Sequence, residues 1–184
     1  MARLIRRSQL RGQILKSLME EEWLQGEECL TDIEYLECVH DILKNETVQS
    51  MNSFIQHGCT TTLTHCLHVS YFSYKVCRKC GLDYCSAARA GLLHDLYLYD
   101  WHTHARETGE HLHGFTHPST ALKNASRIFE LNATERDIII KHMWPLTIIP
   151  PKTWEGYVVM LADKHCGFME TVLRFRTRKV AATI

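Results

Sequence analysis

The sequence predicts an all-α protein, and three observations carry that prediction. No stretch shows the sustained apolar–polar alternation of a half-buried strand. Apolar residues recur instead at three- and four-residue steps, most clearly Leu63, Leu67, Tyr71 and Tyr74. Helix punctuation brackets these runs: Asp32 and Asn45 suit N-caps, Gly81 suits a C-cap, and Pro145 and Pro150-Pro151 act as stops. A length of 184 residues fits one domain with a sizeable core.

Residues 3–22 carry Leu4, Ile5, Leu10, Ile14, Leu15 and Leu18 near helical spacing, with a basic start and Glu20-Glu21-Glu22 at the end. This reads as a mostly exposed packing or dimer helix rather than a membrane-surface one. Thr31-Asp32 opens a helix over Ile33–Leu43, and Asn45 opens another over Val48–Ile55. Gly58 breaks the pattern before the first strong core helix, Thr61–Cys80. Asp83–Leu98 forms the next helix, followed by a polar loop to His113-Gly114. Pro118 suits the first turn of a helix, which makes His117 its cap and ends it near Glu130. Asn132 or Thr134 opens another, which Pro145 stops after Trp144. Thr153–Arg174 is the last. We expect residues 1–50 to form an N-terminal helical extension packed on a core of 51–175, with 176–184 a short tail.

Composition narrows the function classes. Lys+Arg and Asp+Glu balance at 21 each, so no global basic field for nucleic acid exists. No apolar run approaches the ~20 residues of a membrane span. The basic start lacks the apolar stretch of a signal peptide, so a cytoplasmic protein is expected, its eight cysteines reduced. Twelve histidines are the unusual feature. Six of them, His94, His102, His104, His111, His113 and His117, fall within one short window. Imidazole is the commonest metal ligand.

The helical reading places one candidate ligand or pair on each consecutive core helix. His65 lies near the start of the first, and the adjacent His94-Asp95 ends the second. His117 opens the third, His142 lies in the fourth and Asp163 in the fifth. Helical bundles build metal sites between their helices in this way. Six nitrogen and oxygen donors suit Fe, Mn, Co or Zn rather than Ca, and they exceed one four-coordinate site. Small residues before the pair (Ala87, Ala88, Ala90, Gly91) let neighbouring helices approach closely.

The segments Thr64-His65-Cys66-Leu67-His68-Val69-Ser70-Tyr71, Ala90-Gly91-Leu92-Leu93-His94-Asp95, His117-Pro118, Ile138-Ile139-Ile140-Lys141-His142 and Val159-Met160-Leu161-Ala162-Asp163-Lys164 resemble the HD-domain metal-dependent phosphohydrolase superfamily. The resemblance covers about 55–172 and looks closest to a bacterial branch with Leu-Tyr-Asp-Trp after the pair. It implies a compact helical bundle of the HD type. It also implies one metal on His65, His94, Asp95 and Asp163, and a second on His117 and His142 with Asp95 bridging. His68 rivals His65 as a ligand, but it falls where the family often has Arg. It is expected beside the ligands or facing substrate.

The implied chemistry is attack of a metal-bound hydroxide on a small phosphorylated metabolite, a nucleotide monoester or phosphodiester. Asp95 and Lys164 are the expected catalytic residues. Many binuclear relatives carry His-Asp-x-x-Lys, whereas Leu98 stands at that lysine position here. Lys164, or Arg106 and His102 in the following loop, would then meet the phosphate. Some relatives with the same ligand order are mixed-valent di-iron oxygenases, which is the alternative reading. A non-catalytic metal-binding sensor would be expected to lack a ligand, and none is missing. No nucleic-acid partner and no membrane association are expected, and a homodimer is compatible with the N-terminal helix. Cys77-Arg78-Lys79-Cys80 resembles half a zinc knuckle without its second half, which favours packing thiols. Gln56-His57-Gly58 suits either the mouth of the site or a helix-ending turn. Trp101, Phe115 and Trp144 flank proposed site residues and read as core aromatics before base-stacking ones.

Overall fold

Asp32 is extended, and its carboxylate accepts the amide of Tyr35 at 3.2 Å, which starts the helix α1 (Ile33–Leu43). The structure, a computed structural model, describes residues 29, 31–57, 60–101, 103, 109 and 112–181. The helix expected over 3–22 lies outside the described residues. The described residues form seven α-helices, α1 included, and a two-stranded antiparallel hairpin, an all-α fold. No helix among the described residues is long and apolar enough to cross a membrane.

The expected helix over Val48–Ile55 does not form. Asn45 caps only one turn, α2 (Glu46–Gln49), which tightens into a 3-10 turn at Ser50–Ser53. Short polar side chains compete for the backbone here: Ser50 Oγ donates to the Thr47 carbonyl at 2.7 Å. The chain then extends into β1 (Ile55–His57), which pairs with β2 (Thr60–Thr61). Thr62 N reaches back to the Phe54 carbonyl at 2.8 Å and closes the hairpin.

The core helix α3 (Thr62–Cys80) is capped by the Thr61 hydroxyl at its start and by left-handed Gly81 at its end. It packs against α4 (Tyr84–Leu93) on one side and α7 (Trp154–Ala181) on another. In the chain between α4 and α7 come α5 (His113–Ile128), which packs on α6, and α6 (Ala133–Lys141), which packs on both α4 and α7 and is opened by an Asn132–Glu135 capping box. Leu92, Leu93, Ile138, Ile139, Val158 and Val159 are buried in one core. Helix α1 joins that core: Tyr35 OH pairs with Ser70 Oγ at 2.9 Å, and Ser70 donates to the Ala88 carbonyl at 2.7 Å. Arg89 spans α1 and α6 through Asp41 at 2.7 Å and Glu135 at 3.0 Å.

Four helix boundaries differ from the sequence expectation, one of them the end of α7, which continues to Ala181 rather than stopping at Arg174 and so takes in part of the expected tail. Helix α4 ends at Leu93 rather than Leu98, and α6 ends at Lys141 rather than Trp144. In both, a histidine imidazole takes a terminal carbonyl in place of the next backbone amide. Helix α5 starts at His113, not beside Pro118, because Phe115 N and Thr116 N already bond to the Leu112 carbonyl. Pro118 therefore sits inside the helix and His117 is not its cap. The amide that Pro118 lacks would have served the Gly114 carbonyl.

The α3–α4 contact is tight because Gly91 has no side chain. A Cβ there would lie 2.9 Å from Ser70 Cα, a backbone atom. Gly91→Ala is therefore expected to push α4 away from α3 and to cost about 1–3 kcal/mol. Urea unfolding reads this directly. A variant as stable as the parent would show that the helices can separate freely.

Candidate metal centre

The fold brings His65, His94, Asp95, His117, His142 and Asp163 to one place. His65 stands on α3 and Asp163 on α7, with His65 Nε2 3.1 Å from Asp163 Oδ1. His94 follows α4, and its Nε2 lies 3.6 Å from the same oxygen. Asp95 Oδ1 lies 3.2 Å from His117 Nε2 on α5 and 3.6 Å from His142 Nε2 after α6. His117 and His142 meet Nε2 to Nε2 at 2.8 Å. Five helices or helix ends thus contribute, and every one of these imidazoles is buried.

Two histidines are oriented by the way their helices stop. His94 Nδ1 lies 2.7 Å from the Gly91 carbonyl, and His142 Nδ1 lies 2.8 Å from the Ile139 carbonyl. A carbonyl only accepts, so each Nδ1 carries a proton and each Nε2 faces the centre. Metal-binding histidines are oriented by such contacts. The candidate ligand and the helix terminator are the same residue, which accounts for the early ends of α4 and α6.

Two donor groups emerge: His65, His94 and Asp163, and His94, Asp95 and His142. They share His94, and His117 adjoins the second. His94 Nε2 and Asp95 Oδ1 are buried polar atoms that complete no hydrogen bond. Such atoms are costly in a protein interior unless something else satisfies them. A divalent cation fits this donor set of imidazoles and carboxylates.

The electrostatics show how strongly the groups are coupled. Burial opposes a charged His65, but hydrogen bonds to Asp163 and Glu170 outweigh it and raise its pKa to about 10. Burial also opposes charge on His94, and the Asp95 carboxylate reverses that and holds its pKa well above the ordinary value. Burial would raise Asp95, yet His94, His117 and His142 pull it far below the carboxylate range. Asp163 is depressed similarly by His65 and His94 against its burial. His142 differs: burial and the neighbouring His94 charge lower it to about 3, so it stays neutral.

Two further residues complete the surroundings: Glu170, which the sequence did not single out, and Gln56, whose segment suited either the mouth of the site or a turn. Glu170 is buried on α7, with Oε2 3.0 Å from His65 Nδ1 and Oε1 2.9 Å from His68 Nδ1. It stands seven residues after Asp163, two helical turns further along the same face, which is the signal that could have found it. Gln56 on β1 is the second. Its amide donates to Asp95 Oδ2 at 2.6 Å, and its carbonyl oxygen accepts from the Tyr97 hydroxyl. Gln56→Leu removes this donor and leaves the buried Asp95 Oδ2 poorer by one bond. An expected stability loss of about 1–3 kcal/mol follows, and chemical denaturation measures it; a loss under 0.5 kcal/mol (roughly the surface background) would show that Gln56 does not support Asp95.

A cavity of about 360 Å³ opens onto these groups. Asp95, His117, His142 and Asp163 lie at its wall, together with Gln56, Trp101, Met143 and Lys164. Lys164 Nζ donates to the His142 carbonyl at 3.1 Å, and partial burial lowers its pKa. His68 meets Glu170 and is not part of this wall. His102 and Arg106, expected to contact substrate, lie outside the described residues. Leu98 has φ of 62° and packs partly buried against the core. Cys77 is buried and Cys80 half-buried, and burial pushes the Cys77 thiol well up. Among the described residues, neither belongs to a group able to hold a metal.

No family model matches the chain, and neither a curated protein nor a solved structure matches it.

Proposed function

We propose that the protein is a metal-dependent phosphohydrolase of the HD-domain type. Its substrate is a small phosphorylated metabolite, a nucleotide monoester or a phosphodiester. One observation carries the reading: buried imidazoles and carboxylates from five helices or helix ends cluster together, Asp95, His117, His142 and Asp163 among them at a cavity wall, with His94 Nε2 and Asp95 Oδ1 left without hydrogen bonds. The same residues are those of the HD-type order His…His-Asp…His…His…Asp.

His65, His94, Asp95 and Asp163 would hold one divalent ion, and His117 and His142, with Asp95 shared, a second, of Fe, Mn, Co or Zn. Such metals supply positive charge to a phosphoryl group and lower the pKa of water. The chain's own groups do the rest. Asp95 is held in place by the Gln56 amide, so its Oδ1 keeps facing His117 and His142. Lys164, at the cavity wall beside the His142 carbonyl, offers a cation to a phosphate oxygen. Trp101 and Met143 give the wall an apolar part against which the remainder of the substrate packs.

The test is a metal assay on the protein as isolated, with a phosphate-release screen run in air and without oxygen. Stoichiometric metal and equal release under both atmospheres are expected. Oxygen consumption confined to the iron form would replace this reading with oxygenase chemistry. Bound metal with neither activity would make the protein a sensor.

A further inference from the structure

Glu170 lies away from the cavity wall, yet it is buried between two histidines of the neighbouring helix. Its two oxygens are divided between them, Oε2 to His65 Nδ1 at 3.0 Å and Oε1 to His68 Nδ1 at 2.9 Å. The two histidines are three residues apart on α3, one turn, and both rings turn toward α7. His65 is fully buried and His68 is half-exposed. The other His65 nitrogen, Nε2, faces Asp163 Oδ1 at 3.1 Å. Asp163 and Glu170 therefore grip opposite nitrogens of one ring from a single helix.

The chemistry of this arrangement is directional. An ionised carboxylate accepts hydrogen bonds and donates none. Facing Nδ1, it requires the proton there and leaves the Nε2 lone pair for the centre. His94 and His142 obtain the same result from the backbone carbonyls of Gly91 and Ile139. His65 sits within the continuous helix α3, where the carbonyls are already bonded, so an outside acceptor must do this work.

We propose that Glu170 is a positioning residue for the metal centre. It fixes the His65 tautomer and ring orientation, and His68 is its second anchor rather than a substrate contact. This rests on the reading that His65 is a metal ligand. The role differs from that of Asp163, which faces the centre itself.

The experiment compares the full chain with Glu170→Ala, Glu170→Gln and His68→Ala, using Zn²⁺ alone as probe. Affinity is read by chelator competition, and long-range ¹⁵N–¹H spectra of the Zn²⁺-loaded protein read the His65 tautomer. Circular dichroism and Tm of the metal-free variants report folding. Glu170→Ala is expected to weaken Zn²⁺ binding about 10–100-fold and to lose the protected His65 Nδ1 proton. Glu170→Gln keeps an acceptor oxygen for His65, while half-exposed His68 can change tautomer. It should therefore retain that proton and recover most of the affinity. His68→Ala leaves the Glu170–His65 bond intact and should bind Zn²⁺ within about threefold of the parent (well under the Glu170→Ala loss).

Parental Zn²⁺ affinity in Glu170→Ala, with the His65 proton unchanged, would overturn the proposal. So would an equal loss in all three variants that follows their Tm, since that is packing and not orientation. If even the parent binds no Zn²⁺, the failure belongs to the metal centre itself. If Zn²⁺ binds while His65 Nε2 remains protonated, His65 is not a ligand and the positioning role falls with it.

Discussion

His94→Ala is expected to lose the ion of the His65, His94 and Asp163 group, to weaken the adjoining group, and to remove measurable turnover, a fall of at least about 10³-fold (roughly 4 kcal/mol of barrier). His94 is the one residue common to both donor groups, and its Nε2 is a buried atom with no hydrogen bond. Asp95→Ala should come close behind. Its Oδ1 is near both His117 and His142, and its Oδ2 lies 3.4 Å from His94 Nε2. Its loss leaves buried imidazoles without the carboxylate that offsets their charge. His117→Ala should be milder, because the group of His65, His94 and Asp163 does not include it. Metal per chain by mass spectrometry, measured with phosphate release, gives the ranking. Equal metal content and equal residual activity in Asp95→Ala and His117→Ala would show that Asp95 serves no more of the centre than His117 does.

That ranking rests on residues the sequence exposes readily, and the reason is geometric. Each lies on or at the end of a core helix legible from its apolar periodicity, and the order His…His-Asp…His…His…Asp across those helices, with the resemblance it carries, implies that they converge. Caps are legible in the same way: Asp32, Asn45 and Asn132 each accept a backbone amide where a short polar residue precedes an apolar run. Helix ends are less legible when a tertiary group supplies the last bond. Nothing local says that His94 and His142 will turn their Nδ1 atoms onto Gly91 and Ile139. The hairpin at 55–61 is too short to alternate, and its pairing depends on Thr62 meeting Phe54. Gln56 therefore reads equally as a turn residue or as part of the mouth of the site, and its bond to Asp95 is not legible. Glu170 is hidden for another reason. A glutamate on a long helix ordinarily faces solvent, and only the packing of α7 on α3 brings it between His65 and His68.

Metal should stabilise the protein more at high pH than at low, and the protonation states give the sign. In the metal-free chain, His65 has its pKa raised to about 10 by Asp163 and Glu170 against the cost of burial. Its contribution to stability is complete below the ordinary value near 6.5 and is lost as pH rises toward 10. Glu170 has the opposite sign. Burial would raise it, but its bonds to His65 and His68 hold it at about 2. Its contribution is present above 4.5 and disappears as pH falls toward 2. His142, held neutral at about 3 by burial and by His94, destabilises the fold as pH falls from 6.5 toward 3, because the unfolded chain takes up that proton first. The metal-free protein should therefore be most stable between about pH 5 and 7. A metal ion must displace the proton of His65 at Nε2, so its binding releases protons and strengthens as pH rises. The increment in Tm on adding Zn²⁺ is thus expected to grow from pH 5.5 to pH 8.5, while the chelated protein loses stability over the upper part of that range. Thermal scans with and without chelator across these pH values measure both trends. A metal increment that is flat or falls with pH would mean that no imidazole proton is exchanged for the metal, and His65 would leave the ligand set.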